Sequence, residues 1–292
     1  MDNKSSFIKS KNSLTCNGKI LNLSKPLVMG IINITPDSFY AKSQFMLKRR
    51  IASRAKEILV QGGSIIDIGA CSTRPGAKMV SEKEEITRLS KGLSVIRKKF
   101  PDAIISVDTF RANVAKHVVS HYNANIINDI SAGEMDKKMV ETVASLSVPY
   151  IAMHMQGTPQ DMQQNPRYEN VVKDLVTFFA SKVEKFYKAG IKDIVIDPGF
   201  GFGKTLEHNY TLLQNLDAFK VFGLPILVGL SRKSMIYKAL SINPDQALNG
   251  TSVLNTIALE KGANILRVHD VQEAIDAITL TSLTTNQPKG FM

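Results

Sequence analysis

Only two cysteines, Cys16 and Cys71, occur in the 292 residues, and their spacing suggests no disulfide framework. A reducing cytoplasm is the simplest setting for such a chain, so a cytoplasmic location is expected. Long apolar runs are missing as well. Stretches such as Leu27–Ile34 fall far short of the roughly 20 residues a membrane helix needs, so no membrane partner is expected. Met1–Ser13 is polar and lysine-containing, without the apolar core of a signal peptide. No Pro/Gly/Ser tract, long charge run or low-complexity segment divides the chain, which leaves one large barrel or two smaller domains. With 43% hydrophobic and 22% charged residues, the composition is that of a folded globular protein.

Acidic residues are the scarcer charge: 26 Asp and Glu stand against 37 Lys and Arg, a net charge of +11. The excess lysines (Lys91, Lys98, Lys99, Lys137, Lys138, Lys182, Lys185) are scattered through helix-like segments, and no basic motif is interleaved with aromatics. That pattern argues against nucleic acid. It fits a solvated basic surface that helps to steer anionic substrates.

What is present is alternation. Eight short β-rich runs (27–34, 64–68, 103–107, 125–129, 149–154, 193–196, 225–229 and 264–268) are mostly continuous in Val, Ile and Leu, as strands buried on both faces should be. Helical patterns separate them: 47–61, 81–98, 111–121, 137–145, 168–189, 207–219, 244–261 and 271–283. Ser81 with Glu84 reads as a capping box, and Gly62-Gly63 as a helix stop. Eight strand–helix units in one chain predict a (β/α)8 TIM barrel over 27–285, with an open doubly wound sheet as the alternative. Residues 1–26 form a tail and a β-hairpin turning at Asn17-Gly18, expected to close the barrel's bottom.

In such a barrel chemistry belongs to the loops after the strands, and there the polar and glycine-rich clusters fall. They are Asn33-Ile34-Thr35-Pro36-Asp37-Ser38-Phe39, Ser72-Thr73-Arg74-Pro75-Gly76, Asp108-Thr109, Asn128-Asp129, Met153-His154-Met155-Gln156-Gly157, Asp197-Pro198-Gly199-Phe200-Gly201-Phe202-Gly203-Lys204, Ser231-Arg232-Lys233-Ser234 and Arg267-Val268-His269. A single charge at a strand tip can be a helix cap; capping alone does not account for all eight.

These segments resemble, in the same order, the signature blocks of the dihydropteroate synthases, from Leu27 to about Leu283. The resemblance implies a stand-alone bacterial type that joins 6-hydroxymethyl-7,8-dihydropterin diphosphate to p-aminobenzoate and releases pyrophosphate, commonly as a homodimer. It also implies the site. Asp197, Asn128, Lys233 and Asp108 would take the pterin's hydrogen-bonding edge, a carboxylate accepting two ring hydrogens side by side. Arg267 and His269 would receive the departing pyrophosphate. Asn33 would bind Mg2+ through its side-chain oxygen, with the metal also on the phosphates. Thr73, Arg74 and Pro75 would wall the p-aminobenzoate site, with Phe202 on its ring and Ser234 at its carboxylate. Asp108, Lys233, Arg267 and His269 are the expected catalytic groups. Two departures stand out: Tyr40-Ala41-Lys42-Ser43 replaces the usual Ser/Tyr-Asp-Gly-Gly, and Cys71 replaces a common Glu. The loops 33–43 and 71–78 have little apolar anchoring beyond Phe39 and are expected to move when empty.

Other motifs fail. Gly203-Lys204-Thr205 suggests a P-loop, but Pro198 stands where that motif needs its first glycine. The dinucleotide fingerprint would need a third glycine at Lys204. His154 and His269 lack zinc-ligand spacing. The competing functions are a methyltransferase using methyltetrahydrofolate, which would not need the 72–76 loop or the Arg267/His269 pair, and a non-enzymatic pterin-binding barrel.

Overall fold

The computed structural model describes residues 11–34, 43–71 and 79–285. Strands β1 (Ser13–Cys16) and β2 (Lys19–Asn22) pair antiparallel, Leu14 opposite Leu21. Asn17 and Gly18, both at positive φ (48° and 80°), make the expected two-residue turn. Eight parallel strands follow: β3 (Leu27–Asn33), β4 (Ile65–Gly69), β5 (Ile105–Asp108), β6 (Ile126–Asp129), β7 (Tyr150–Met153), β8 (Ile194–Asp197), β9 (Leu227–Val228) and β10 (Ile265–Val268). Their order is β8-β7-β6-β5-β4-β3-β10-β9, and an Ile196–Ile226 bridge joins the last to the first. This is the predicted closed barrel.

Register sets the two faces. Residues that pair across neighbouring strands point the same way, so the pairs Gly69–Asp108 and Asp108–Asn128 form part of one inward rim, with Asp67 and Ser106 a layer below. Outward residues such as Val28, Ile66, Ile127 and Ile196 pack under the helices in one apolar shell. At the bottom, inward Met29, Ile65, Ile126, Ile151, Val195, Leu227 and Ile265 meet Leu14, Cys16 and Leu23. The hairpin therefore floors the barrel, as its position before the first strand implies. Asn17 ties it down by donating to the Ala124 carbonyl, and Lys11 pairs with Asp193 at 2.7 Å.

The helices are α1 (Ser43–Val60), α2 (Glu82–Lys99), α3 (Ala112–Tyr122), α4 (Met139–Leu146), α5 (Val171–Ala189), α6 (Leu206–Gln214), α7 (Ser234–Ala239), α8 (Leu248–Glu260) and α9 (Val271–Thr285). Three differences from the sequence reading have local causes. The stretch 207–219 is not one helix: α6 stops at Asn215, whose side chain donates to the Thr211 carbonyl, and a 3-10 helix Leu216–Phe222 continues the apolar spacing. Pro244–Gln246 is likewise a separate 3-10 turn before α8. Ser81 caps α2 by accepting from the Glu84 amide, but Glu84 itself turns to Arg88 at 2.8 Å, so the reciprocal half of the capping box is replaced by an ion pair. Helix α7 is an addition that six residues were too few to announce. The loops expected to be mobile lie largely outside the described residues, as do Thr73, Arg74 and Pro75.

Candidate functional site

Strands β5, β6, β8 and β10 aim four polar side chains into the barrel mouth, and the loop between β9 and α7 adds Lys233. Asp108, Asn128, Asp197, Lys233 and Arg267 line one cavity, with Ile130, Met153, Phe202 and Gly229 as its apolar and backbone walls. Asp67 closes it from below. This residue was not singled out in the sequence; its signal was a lone charge among Ile65, Ile66 and Ile68, and only the register shows that it faces inward.

Arg267 organises the acidic side. Its Nε donates to Asp67 Oδ2 at 2.7 Å and its Nη2 to Asp108 Oδ2 at 2.8 Å. Asp67 is fully buried, and Asn128 Nδ2 lies 3.4 Å from its Oδ2. The two carboxylates hold the guanidinium protonated against the desolvation that opposes its charge. The cavity that Arg267 lines has a free space of about 20 Å3.

Burial governs the titratable groups. It pushes the Asp108 carboxyl up to about 7, with Arg267 opposing and Asp67 adding to the rise. Asp197 is raised by burial too, against the pull of Lys233 and an amide hydrogen bond from Gly199 to its Oδ1 (2.8 Å). Burial lowers Lys233 to about 8 although Asp197 favours its charge. Lys233 donates to the Phe200 carbonyl, and its ammonium sits 4.7 Å from the centre of the Phe202 ring, a cation–π contact.

The other expected residues sit at the rim. His269 is exposed, and its Nδ1 lies 3.1 Å from Ser231 Oγ. Desolvation of the ring, then the charges of Arg267, Arg54 and Arg232, push its pKa down to about 4 while Asp270 opposes them. Ser234 is half-buried at the start of α7. Asn33 is exposed at the end of β3, next to Gly69 in register. Among the described residues no three His, Cys, Asp or Glu side chains gather as a metal cage. Asn33 offers one neutral oxygen, a donor set that suits Mg2+ carried mainly by substrate phosphates and water.

The loop after β8 wraps round a group to which the sequence reading gave no role. Lys204 is buried, with its Nζ 3.1 Å from His154 Nδ1, 3.0 Å from the Gly199 carbonyl and 2.9 Å from the Phe202 carbonyl. Gly199 and Gly203 sit at positive φ, where a Cβ would come within 2.0 Å of the His154 carbonyl and 2.5 Å of the Gln156 carbonyl, so glycine is required at both.

Residues 29–269 match the family described as pterin binding enzyme. The dihydropteroate synthase of Haemophilus influenzae is 44% identical over 94% of this chain and 99% of its own length. That of Escherichia coli is 40% identical over 93% and 96%. The Yersinia pestis dihydropteroate synthase structure with a sulfonamide drug superposes with TM-score 0.86 at 40% identity, over 94% of this chain and 100% of that one. The Xanthomonas albilineans enzyme with 4-aminobenzoic acid does so with TM-score 0.87 at 35% identity, over 96% and 100%.

Proposed function

This chain belongs to the dihydropteroate synthases of the pterin-binding enzyme family, and from that premise we propose which of its residues carry the reaction. The enzyme is a transferase of folate synthesis. It joins 6-hydroxymethyl-7,8-dihydropterin diphosphate to p-aminobenzoate: the C–O bond to diphosphate breaks, a C–N bond forms, and the amine loses a proton as pyrophosphate and 7,8-dihydropteroate are released. Residues 27–285 act as one barrel domain.

The observation that carries the assignment is the convergence of Asp108, Asn128, Asp197, Lys233 and Arg267 on a single cavity at the barrel's C-terminal face. Asp197 accepts two hydrogens from the pterin's amide and amine edge; Asn128 donates and accepts beside it; Lys233 donates to the ring carbonyl or a ring nitrogen. Asp108 accepts a ring N–H and stabilises positive charge that the electron-rich ring shares with the reacting carbon. The Arg267 guanidinium, with His269, receives the pyrophosphate. The aryl amine is nucleophilic without a general base. Phe202, Ser234 and the Thr73-Arg74-Pro75 segment form its site.

Asn33 is the residue we assign to Mg2+. When bound, the metal neutralises charge on the diphosphate. Among the described residues no helix is long and apolar enough to cross a membrane; we place the enzyme in the cytoplasm on its cysteine usage, acting on small molecules and not nucleic acid, as a homodimer.

Turnover tests this reading. Dihydropteroate and pyrophosphate should appear in equal amounts from the two substrates; methyl transfer would release no pyrophosphate. Asp197→Asn presents one acceptor where two are needed and should weaken pterin binding by about 1–3 kcal/mol. Unchanged affinity by isothermal titration would remove Asp197 from the ring edge.

A further inference from the structure

Five consecutive carbonyls in the loop after β8 each accept from a side chain. Lys204 takes those of Gly199 and Phe202, Lys233 that of Phe200, Gln163 that of Gly201 at 2.6 Å, and Tyr168 that of Gly203 at 2.8 Å. With glycine at 199, 201 and 203, all at positive φ, the loop has few side chains of its own to hold a shape. Its shape comes from these donors. Lys204 alone supplies two of the five bonds, and among the described residues it is the one fully buried lysine, 3% exposed. It also reaches outside the loop, to Nδ1 of His154 at 3.1 Å and to the His154 carbonyl at 3.3 Å, at the end of β7. The His154 ring is itself wedged edge-on against Phe178, centroids 4.8 Å apart.

We propose that Lys204, seated on His154, is the positioning residue of the aryl-amine site: it fixes the loop that carries the Phe202 ring to the cavity mouth, and it touches neither substrate. Lys204 is absent from the cavity lining, whereas Phe202, carried on the loop it holds, is part of it. The arrangement needs His154 as an acceptor, with its proton on Nε2. Burial and the neighbouring ammonium keep that ring unprotonated, its pKa lowered to about 2. Asp197 and Asn128 stand on strands and Lys233 at the start of α7, so of these groups Phe202 alone is carried by the loop itself. Loss of Lys204 should therefore tell on the amine before the pterin.

The inference rests on the functional reading above, and steady-state kinetics of the full chain separate the two. In Lys204→Met, which keeps the length and loses the donor, KM for p-aminobenzoate should rise at least about tenfold while KM for the pterin diphosphate stays within about threefold. His154→Asn, whose Oδ1 can stand in for the lost ring nitrogen, should keep the amine KM near that of the unaltered enzyme. His154→Phe, which fills the space without an acceptor, should raise it as Lys204→Met does. If Lys204→Met does not fold, the His154 pair decides. An unchanged amine KM in Lys204→Met, equal rises in both KM values, or identical behaviour of the two His154 variants would overturn the inference. Absence of dihydropteroate from the unaltered enzyme would instead overturn the functional reading, and this inference with it.

Discussion

At the scale of single residues, burial has moved an acid and a base towards each other. Asp108 is pushed up to about 7 by desolvation and Lys233 down to about 8, so both titrate in the neutral range. The signs are opposite in effect. Below about 7 Asp108 takes up a proton and ceases to accept a ring N–H, so pterin affinity should fall as the pH falls. Above about 8 Lys233 loses its charge, so affinity should fall as the pH rises. Titration of a pterin without phosphate groups across the neutral range should give a bell with its top between these values. Lys233→Met should erase the alkaline limb and leave the acid one. A flat profile would show that neither group faces the ring. Most of this cluster could be read from the sequence, because charges at the tips of apolar strands are conspicuous. Asp67 and Lys204 could not. The inward aim of Asp67 depends on register, and a lysine in a glycine-rich loop gives no sign that it is buried.

At the scale of elements, the strands were legible because burial on both faces leaves unbroken runs of Ile and Val, and the hairpin because Asn17-Gly18 suits few other turns. The 3-10 segment after α6 was not legible: Leu212, Leu213, Leu216 and Phe219 keep helical spacing whether or not the backbone does. The hairpin lends itself to a measurement. Leu14 is fully buried in the floor, while Ile20, on the same hairpin, is 75% exposed. Leu14→Ala should lower stability by about 2–5 kcal/mol, and Ile20→Ala should change it by no more than about 0.5 kcal/mol, both read from denaturant midpoints. Equal effects would mean that the hairpin is not part of the core. Pterin affinity should be unaltered in both variants, since the floor lies at the opposite end of the barrel from the mouth.

At the scale of the whole molecule, the outer ring carries exposed apolar side chains on its last two helices: Val253 on α8, Leu280 and Leu283 on α9. We propose these helices as the homodimer contact. Light scattering at micromolar concentration should give about twice the 32.2 kDa chain mass, and Leu280→Asp combined with Leu283→Asp should return the monomer. A monomer mass for the unaltered chain would refute the proposal. The floor built by Leu14, Cys16 and Leu23 has one more consequence. With the bottom of the barrel shut, both substrates have to enter, and both products to leave, through the one open end.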